Sequence, residues 1–213
     1  MEAKQYKEFW NLIDFLHENE LLEFILLIGS WAEYIYAQSG LLPGFTENLR
    51  TLDVDFLIKN KGKPNKPINL MAIAKEAGYT IDRDVLEGTT KLYTSGLMEV
   101  EFIIEQKGKG ISSVLETNLG VNAEALRHVG LLKNHATEIK IFGYKINVPI
   151  PEAYVIHKII INQSRGVKAE KDRQAIFALM PFLDKEKFQV VLEQVSKKER
   201  KISHDFLKRY GYL

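Results

Sequence analysis

The chain of 213 residues contains no cysteine. Disulfides, thiolate nucleophiles and cysteine-ligated zinc sites are therefore excluded as explanations of its function. A long apolar run is also missing, because the most hydrophobic stretch, residues 24–29, is far shorter than the roughly 20 residues that cross a bilayer. The N-terminal segment is charged throughout and lacks the apolar core of a signal peptide. We expect a soluble, cytoplasmic protein with no membrane partner.

The chain also lacks an excess of charge of one sign. Lys and Arg number 29 against 28 Asp and Glu, which leaves a formal net charge of +1. This balance gives no global attraction to nucleic acid or to an anionic membrane, so any contact with a polyanion must be local. With 46% hydrophobic and 27% charged residues, the composition is that of a globular protein rather than a disordered one.

Helical and strand periodicities alternate along most of the chain. The predicted helices cover 4–18, 31–40, 68–77, 111–134 (with breaks at Gly120 and Gly130) and 151–165. The predicted strands cover 24–28, 52–58, 79–84, 89–94, 97–104 and a hairpin of 138–142 with 144–148. This order predicts an α/β (α+β) fold in which helices pack on a mixed sheet.

A stiff Pro149-Ile150-Pro151 segment marks a change in the pattern. Pro151 suits the first position of a helix, and the sequence after it has helical periodicity. We therefore predict a mixed-sheet domain at 1–150 and a helical domain at 151–213, with a ligand site in the cleft between them.

Two carboxylates alternate with apolar residues in the second predicted strand. Asp53 and Asp55 share one face of this strand, while Leu52, Val54 and Phe56 are expected to point into the core. Two like charges at this spacing repel each other unless a cation or a proton neutralises them. Mg²⁺ suits the pair best, because it prefers oxygen ligands and recruits substrate phosphates to complete its coordination.

A third acidic residue on a neighbouring strand would complete this carboxylate group. Glu99 and Glu101 share one face of their strand by the same alternation, so either would serve. We favour Glu101 because it lies between Val100 and Phe102 as Asp55 lies between two apolar residues.

The other half of the predicted site is a turn. The apolar strand at 24–28 ends in Gly29-Ser30, and helical spacing begins directly after it. A strand that opens into a helix through small residues presents free backbone N–H groups and the positive end of the helix dipole to an anion. We expect a triphosphate to lie between this turn and the metal.

Three segments, taken together, resemble the DNA polymerase beta-type nucleotidyltransferase superfamily. They are Ile28-Gly29-Ser30, Leu52-Asp53-Val54-Asp55-Phe56 and Val100-Glu101-Phe102. The resemblance implies that the paired aspartates and the third carboxylate are catalytic and hold Mg²⁺ or Mn²⁺. It also implies transfer of a nucleoside monophosphate from a nucleoside triphosphate to an acceptor hydroxyl, with release of pyrophosphate.

The spacing is similar to that of one subgroup. Ser30 and Asp53 are 23 positions apart, and Arg50-Thr51 precedes the aspartates as in AbiEii-type toxins. This narrower resemblance implies that Gly29, Ser30 and Arg50 bind the nucleotide. It further implies an RNA or protein acceptor and a separately encoded antitoxin protein as a partner.

The segment 148–176 resembles a helical Lys…Arg…Lys-Asp signature of the same subgroup, carried here by Lys158, Arg165, Lys171 and Asp172. Positions 158, 165 and 172 are seven apart, which predicts nearly one face of a continuous helix. The three basic residues are expected to contact the nucleotide phosphates. Asp172 is expected to orient one of them or to accept a proton from the acceptor hydroxyl.

Plainer interpretations stay open. Asp53 and Asp55 would also fit the solvated face of an edge strand, and the C-terminal charged residues would also fit surface ion pairs. A non-catalytic member that binds a nucleotide or a partner would keep the same motifs. An antibiotic-modifying nucleotidyltransferase, which needs an acidic pocket for a cationic substrate, would keep them as well. The scattered histidines have no metal-ligand spacing.

Overall fold

The structure is a computed structural model that describes residues 2–47, 49, 51–86, 88–95, 98–108 and 112–213. Arg50, which we expect to bind the nucleotide, lies outside the described residues. Among the helices in these ranges, none combines the length and the apolar composition needed to cross a membrane.

Helices and strands alternate much as the hydrophobic pattern predicts. The helices are α1 (Glu2–Glu18), α2 (Ser30–Gln38), α3 (Leu70–Glu76), α4 (Gly130–Asn134), α5 (Pro151–Asn162), α6 (Ala169–Leu179), α7 (Lys185–Gln194) and α8 (Lys197–Arg209). The strands are β1 (Ile25–Ile28), β2 (Asp53–Ile58), β3 (Thr80–Arg83), β4 (Thr90–Thr94), β5 (Met98–Glu105), β6 (Val114–Glu116), β7 (Asn122–Leu126), β8 (Ala136–Ile141) and β9 (Tyr144–Pro149). Short 3₁₀ turns at Gly166–Lys168 and Met180–Phe182 follow α5 and α6.

The main sheet is mixed and has the strand order β1-β2-β5-β4-β3. Strand β5 is parallel to β2, whereas β1 is antiparallel to β2 and β4 is antiparallel to β5. Along its other edge, β5 pairs with β4 in its first half and with β7 in its second half, and β6 extends the sheet beyond β7. The hairpin β8–β9 forms a separate sheet. The expected mixed α/β fold is confirmed.

The helix predicted across 111–134 is wrong for most of its length. Two antiparallel strands, β6 and β7, occupy this stretch, and only the short α4 is helical. Alternate burial shows why, because Ala123 and Ala125 are buried while Glu124 between them is not. Pairing of β7 with the buried β5 outweighs the local helix propensity of these residues. Gly120, with φ 75°, forms the turn between the two strands.

One face of the sheet packs against helices α1 and α2 in a hydrophobic core. Val54, Phe56 and Phe102 are almost fully buried there, and Phe9 of α1 stacks on Trp31 of α2 with ring centroids 4.1 Å apart. The expectation that Leu52 also points into the core is wrong, since 44% of this residue is exposed. Leu52 directly precedes the first residue of β2.

Helix α5 begins with Pro151 at its first turn, as predicted, and runs through the interior of the protein. Its residues Tyr154, Val155 and Ile159 belong to the same hydrophobic core as the sheet, while its opposite side packs against α7. The division into domains at residue 150 stays a prediction.

The spacing of seven between residues 158, 165 and 172 favoured one face of a continuous helix, and this expectation is wrong because the helix predicted over 151–165 ends before Gly166. Helix α5 ends at Asn162, and a 3₁₀ turn containing Gly166 at φ 53° reverses the chain before α6. The side-chain amide of Asn162 donates a hydrogen bond of 2.7 Å to the carbonyl of Ala169, which ties the two helices together. Residues 158, 165 and 172 are therefore brought together by a turn rather than by helical periodicity.

Candidate active site

Three neighbouring strands of the main sheet, β2, β5 and β4, align polar side chains in one row across the sheet. Asp55 on β2 is the Cα register partner of Glu101 on β5, and Glu101 is the register partner of Lys91 on β4. Asp53 is one step earlier on the same face of β2. The sheet register therefore brings Asp53, Asp55 and Glu101 into one group, as the sequence predicts.

The carboxylate of Asp55 has an unusual environment. Its pKa is raised from 3.8 to about 6, mainly because the group is withdrawn from water and secondly because Glu101 and Asp53 repel its negative form. Lys168 and Lys158 favour the charged form and offset part of this effect. Asp55 thus lies close both to the acidic residues of the sheet and to lysines from α5 and the 3₁₀ turn that follows it.

Lys91 bonds to both candidates for the third carboxylate. Its Nζ atom donates to Oε1 of Glu101 at 2.9 Å and also to Oε1 of Glu99. Glu101 lines the cleft that separates the aspartates from Lys158 and Arg165, and it raises the pKa of Asp55, whereas Glu99 lies outside this lining. The geometry therefore favours Glu101 over Glu99 as the partner of the aspartate pair.

The turn between β1 and α2 lies directly against Asp55. Ile28, the last residue of β1, is the register partner of Asp55, and Gly29 follows with φ 67° and ψ −161°. A Cβ atom added to Gly29 would lie 2.2 Å from Oδ2 of Asp55. Only glycine adopts this backbone conformation readily and leaves room for the carboxylate. Helix α2 begins at Ser30, so its free N–H groups and the aspartate belong to one site.

A buried tyrosine on α5 anchors this turn. The hydroxyl of Tyr154 lies 3.0 Å from the carbonyl oxygen of Gly29 and also bonds to Oε1 of Glu33 on α2. Glu33 is 8% exposed, and burial raises its pKa. Sequence analysis did not identify either residue. The single signal for Glu33 is a lone acidic residue within an otherwise apolar stretch of α2.

The cations of α5 and of the following turn are organised around Asp172. Nζ of Lys158 lies 2.9 Å from Oδ1 of Asp172, and Nε of Arg165 lies 3.1 Å from Oδ2. Asp172 is 2% exposed, so its carboxylate is almost entirely enclosed between the two cations. Lys158 also lies 5.0 Å from the centre of the Tyr154 ring.

A cleft of about 770 Å³ separates the carboxylates from these cations. This volume falls in the range of roughly 300–1,000 Å³ that small-molecule sites have. Its lining includes all of the predicted site residues that the structure describes: Gly29, Ser30, Asp53, Asp55, Glu101, Lys158, Arg165, Lys171 and Asp172. The structure thus brings the two predicted halves of the site together around one space.

Several lining residues were not identified from the sequence. Lys91 and Lys168 are cations on either side of the cleft, and their positions depend on strand register and on the turn before α6. His157 is 8% exposed, and its buried Nε2 atom has no hydrogen-bond partner among the described residues. Burial lowers the pKa of His157 to about 3, with a smaller contribution from Lys158. His128 at the rim bonds to Glu199 of α8 at 2.6 Å.

Divalent cations fit the aspartate pair of this site. Mg²⁺ and Mn²⁺ take hard oxygen ligands, and Mg²⁺ commonly uses one or two carboxylates together with phosphates and water. Repulsion from Glu101 and Asp53, which adds to the effect of burial on the pKa of Asp55, is the interaction that a bound cation relieves. Among the described side chains, however, no three acidic or histidine groups converge on a common metal position. The role of Glu101 as a third ligand stays a prediction.

The fold is similar to that of solved nucleotidyltransferases. The antibiotic-resistance factor ANT(2'')-Ia matches with a TM-score of 0.53 at 15% identity, covering 100% of this chain and 96% of that one. A second structure of ANT(2'')-Ia, in complex with adenylyl-2''-tobramycin, has the same TM-score and identity and covers 95% and 99%. An antigenic nucleotidyltransferase-like protein from Paracoccidioides brasiliensis matches with a TM-score of 0.52 at 17% identity, covering 93% and 84%. At these identities the likeness concerns the fold.

A family model described as nucleotidyltransferase matches residues 9–200. The chain therefore belongs to this nucleotidyltransferase family, and the expected enzyme class is confirmed. A comparison with curated proteins finds no match. The narrower resemblance to AbiEii-type toxins stays a prediction.

Proposed function

We propose that this enzyme transfers a nucleoside monophosphate from a nucleoside triphosphate to an acceptor hydroxyl, with release of pyrophosphate. The observation that carries the proposal is the contact between Gly29 and Asp55. It joins an anion-binding turn to a carboxylate group on one wall of the cleft. The opposite wall is formed by cations from α5, the 3₁₀ turn and α6. A metal-bound triphosphate requires both kinds of partner.

Asp53 and Asp55 would hold the divalent cation, Mg²⁺ or Mn²⁺, together with the phosphates. When bound, the cation supplies Lewis-acid polarisation of the reacting phosphate and neutralises its charge. Gly29 and Ser30 would bind phosphate oxygens through the backbone N–H groups that begin α2. The withdrawal of Asp55 from water strengthens each of these electrostatic contacts.

Lys158, Arg165, Lys168 and Lys171 would bind the remaining phosphate oxygens across the cleft. Asp172 would serve as a positioning residue, because each of its oxygens already accepts a hydrogen bond from Lys158 or Arg165. This arrangement favours the orienting role of Asp172 over that of a proton acceptor. Because Asp172 already fixes Lys158 and Arg165, these two cations would bind the phosphates with little further loss of side-chain freedom.

Glu101 is the best candidate for the general base. It lies on the same sheet face as the aspartates and next to Asp55 in the register. In the proposed step the acceptor oxygen attacks the α-phosphorus, the bond between this phosphorus and the bridging oxygen to the β-phosphorus breaks, and pyrophosphate leaves with the electron pair. The proton of the acceptor hydroxyl passes to Glu101.

We propose RNA or protein as the acceptor, with an antitoxin protein as a partner, on the strength of the subgroup resemblance carried by Lys158, Arg165, Lys171 and Asp172. The cations Arg127, Lys168 and Lys171 in the lining of the cleft would also suit a phosphate-bearing acceptor. A cationic antibiotic is the second candidate. The acidic residues Asp53, Glu101 and Glu124 in the same lining favour such an acceptor, and ANT(2'')-Ia has been solved with an adenylylated aminoglycoside.

The experiment incubates the protein with Mg²⁺ and each of the four ribonucleoside triphosphates labelled on the α-phosphate. Parallel reactions contain total cellular RNA, cellular protein or an aminoglycoside panel. We expect label to move to one acceptor class with stoichiometric pyrophosphate release, and Asp53→Ala to abolish both. Asp205→Ala, an exposed carboxylate on α8, is the matched control and should keep full activity.

Label transfer that survives Asp53→Ala would defeat the proposed role of the aspartate pair. A thermal shift with nucleotide but no pyrophosphate release from any reaction would instead identify a non-catalytic binding protein. The antitoxin is tested in cells whose growth is inhibited by the active enzyme but not by the Asp53→Ala variant. Co-expression of the product of a neighbouring gene should restore growth in these cells.

A further inference from the structure

Lys91 is a partner of Glu101 that sequence reasoning did not anticipate. It lies on β4 directly across from Glu101, and its side chain is 21% exposed. Its ammonium group bridges Glu99 and Glu101, and these two hydrogen bonds raise its pKa further above the ordinary value. Lys91 therefore stays positively charged at any pH at which the enzyme would work.

We propose that Lys91 is a built-in counter-ion that holds Glu101 away from free metal, so that the divalent cation enters the site together with the nucleotide. This inference rests on the proposed metal-dependent function. It assigns to Lys91 a positioning and selectivity role at the same site, and it predicts that the ammonium group and a free cation compete for the same carboxylates.

The charge distribution around the aspartates supports this role. The carboxylates of Asp53, Asp55 and Glu101 share one sheet face, so their negative charges repel one another. Lys91 is the cation in direct contact with this group, whereas Lys158 and Lys168 act on Asp55 without a hydrogen bond in the described structure. Removal of the Lys91 charge would leave a stronger negative potential at the aspartates.

Free divalent cations and metal–nucleotide complexes respond differently to Lys91. A free cation is attracted only by the carboxylates, and the ammonium group of Lys91, which is already paired with Glu101, repels it. A metal–triphosphate complex carries net negative charge, so the cations of the opposite wall attract it as well. Lys91 consequently weakens binding of the free metal more than binding of the complex.

The exposure of the acidic residues is consistent with this order of binding. Asp53 is exposed, while Glu101 is half-buried and paired with Lys91. A metal that arrives with phosphates can bind the two aspartates without breaking the Lys91–Glu101 pair. Glu101 then stays free of the metal and available for the acceptor hydroxyl.

The test measures Mn²⁺ binding to the whole protein by calorimetry and by the paramagnetic signal of free Mn²⁺, without nucleotide and with a non-hydrolysable triphosphate analogue. Lys91→Met and Lys91→Gln remove the charge, and Lys91→Arg keeps it. Lys140→Met removes an exposed charge on β8, outside the cleft, as a matched control. A thermal unfolding curve of each variant reports whether it is folded.

We expect both neutral variants to bind free Mn²⁺ about five-fold or more tightly than the wild type, with little change once the analogue is present. Lys91→Arg and Lys140→Met should stay within about two-fold of the wild type. A purely structural cross-strand ion pair would lower the unfolding temperature in the neutral variants without strengthening Mn²⁺ binding, and that result would overturn the proposal.

The outcomes also separate this proposal from the proposed function. If Asp53→Ala abolishes Mn²⁺ binding but the neutral Lys91 variants bind as the wild type does, the metal site stands and the role of Lys91 fails. If the wild type and the neutral variants all fail to bind Mn²⁺ with the analogue present, the metal-dependent function fails and the counter-ion role fails with it.

Discussion

The backbone of Gly29 lies so close to the carboxylate of Asp55 that a single added carbon atom would approach Oδ2 to 2.2 Å. This contact arises because Ile28 and Asp55 are register partners on adjacent antiparallel strands. The end of β1 and the start of β2 therefore meet at one edge of the sheet. The groups proposed to hold the metal and the phosphates thus form one rigid unit rather than two separate sites.

Gly29→Ala should remove most of the transferase activity. The new methyl group would displace the Asp55 carboxylate, and a non-glycine residue at φ 67° and ψ −161° is strained. A displacement of about 1 Å in a positioned group costs on the order of 100-fold in rate. Steady-state kinetics with the labelled triphosphate would measure this loss.

Gly40→Ala is the matched control for Gly29→Ala. Gly40 also has a positive φ, 70°, but an added Cβ there meets nothing within 4 Å. Both variants place an alanine at a positive φ, whereas only Gly29→Ala should lose activity in its folded fraction. Equal activity per folded molecule in the two variants would show that the Gly29–Asp55 contact is dispensable.

Tyr154→Phe should weaken nucleotide binding through the turn. The substitution removes the hydroxyl that bonds to the Gly29 carbonyl and to buried Glu33, which leaves a buried acceptor unsatisfied at a cost of about 1–3 kcal/mol. We expect a lower unfolding temperature together with a raised KM for the triphosphate. Glu33→Gln should be milder, because the amide oxygen accepts the same hydrogen bond from Tyr154.

Tyr36→Phe controls for the loss of one buried tyrosine hydrogen bond. The hydroxyl of Tyr36 donates to the carbonyl of Pro149 at 2.7 Å, and Tyr36 is absent from the cleft lining. Urea unfolding should show comparable losses of stability for the two phenylalanine variants. A KM that rises equally in both would mean that Tyr154 acts on the fold alone.

The carboxylate half of the site was predictable because its signals are local. Alternation within one strand fixes which face Asp53 and Asp55 share, and the apolar residues between them fix which face is buried. Gly29-Ser30 is likewise a feature of two adjacent positions. That these segments meet in one place depends on the pairing of β1 with β2 and of β2 with β5, which the order of elements alone does not fix.

The residues that sequence reasoning missed depend on long-range pairing. Lys91 reaches Glu101 only because β4 pairs with the first half of β5, and nothing in the local sequence of β4 sets this register. Lys168 lines the cleft because the chain reverses at Gly166, and the spacing of seven between residues 158, 165 and 172 does not predict this reversal. The strands β6 and β7 were mistaken for a helix for the same reason, since pairing with β5 decides their conformation.

Lys168→Met and Lys171→Met should each raise the KM for the triphosphate. Both lysines are exposed in the lining of the cleft, and no ion pair of either is present in the described structure. Loss of one phosphate contact at an exposed site corresponds to about a three- to ten-fold increase. Lys168 already favours the charged form of Asp55, so its replacement should have the larger effect.

Lys185→Met, which removes an exposed lysine at the start of α7 outside the cleft, is the control and should leave KM unchanged. The difference between the lysine variants should shrink as salt is added, because exposed charges are screened. Variants of Lys168 and Lys171 that keep the wild-type KM at low salt would exclude both residues from phosphate binding.

His157 should make the protein less stable in mild acid. Burial lowers its pKa to about 3 in the folded state, whereas the unfolded chain titrates near 6.5. Below about pH 6.5 the unfolded state therefore binds a proton that the folded state excludes, and stability falls by up to about 1.4 kcal/mol per pH unit. Asp55, with its raised pKa of about 6, acts in the opposite direction, since its folded form is the one that takes up the proton.

Comparison of variants isolates the contribution of His157 from that of Asp55. Between about pH 6.5 and pH 4.5, the wild type should lose about 2–3 kcal/mol more of its unfolding free energy than His157→Phe does. Urea unfolding at a series of pH values measures this difference, with the exposed His204→Gln as the control that should follow the wild type. Parallel curves for the wild type and His157→Phe would mean that the imidazole takes up its proton inside the fold. In that case His157 would have to be accessible from the cleft.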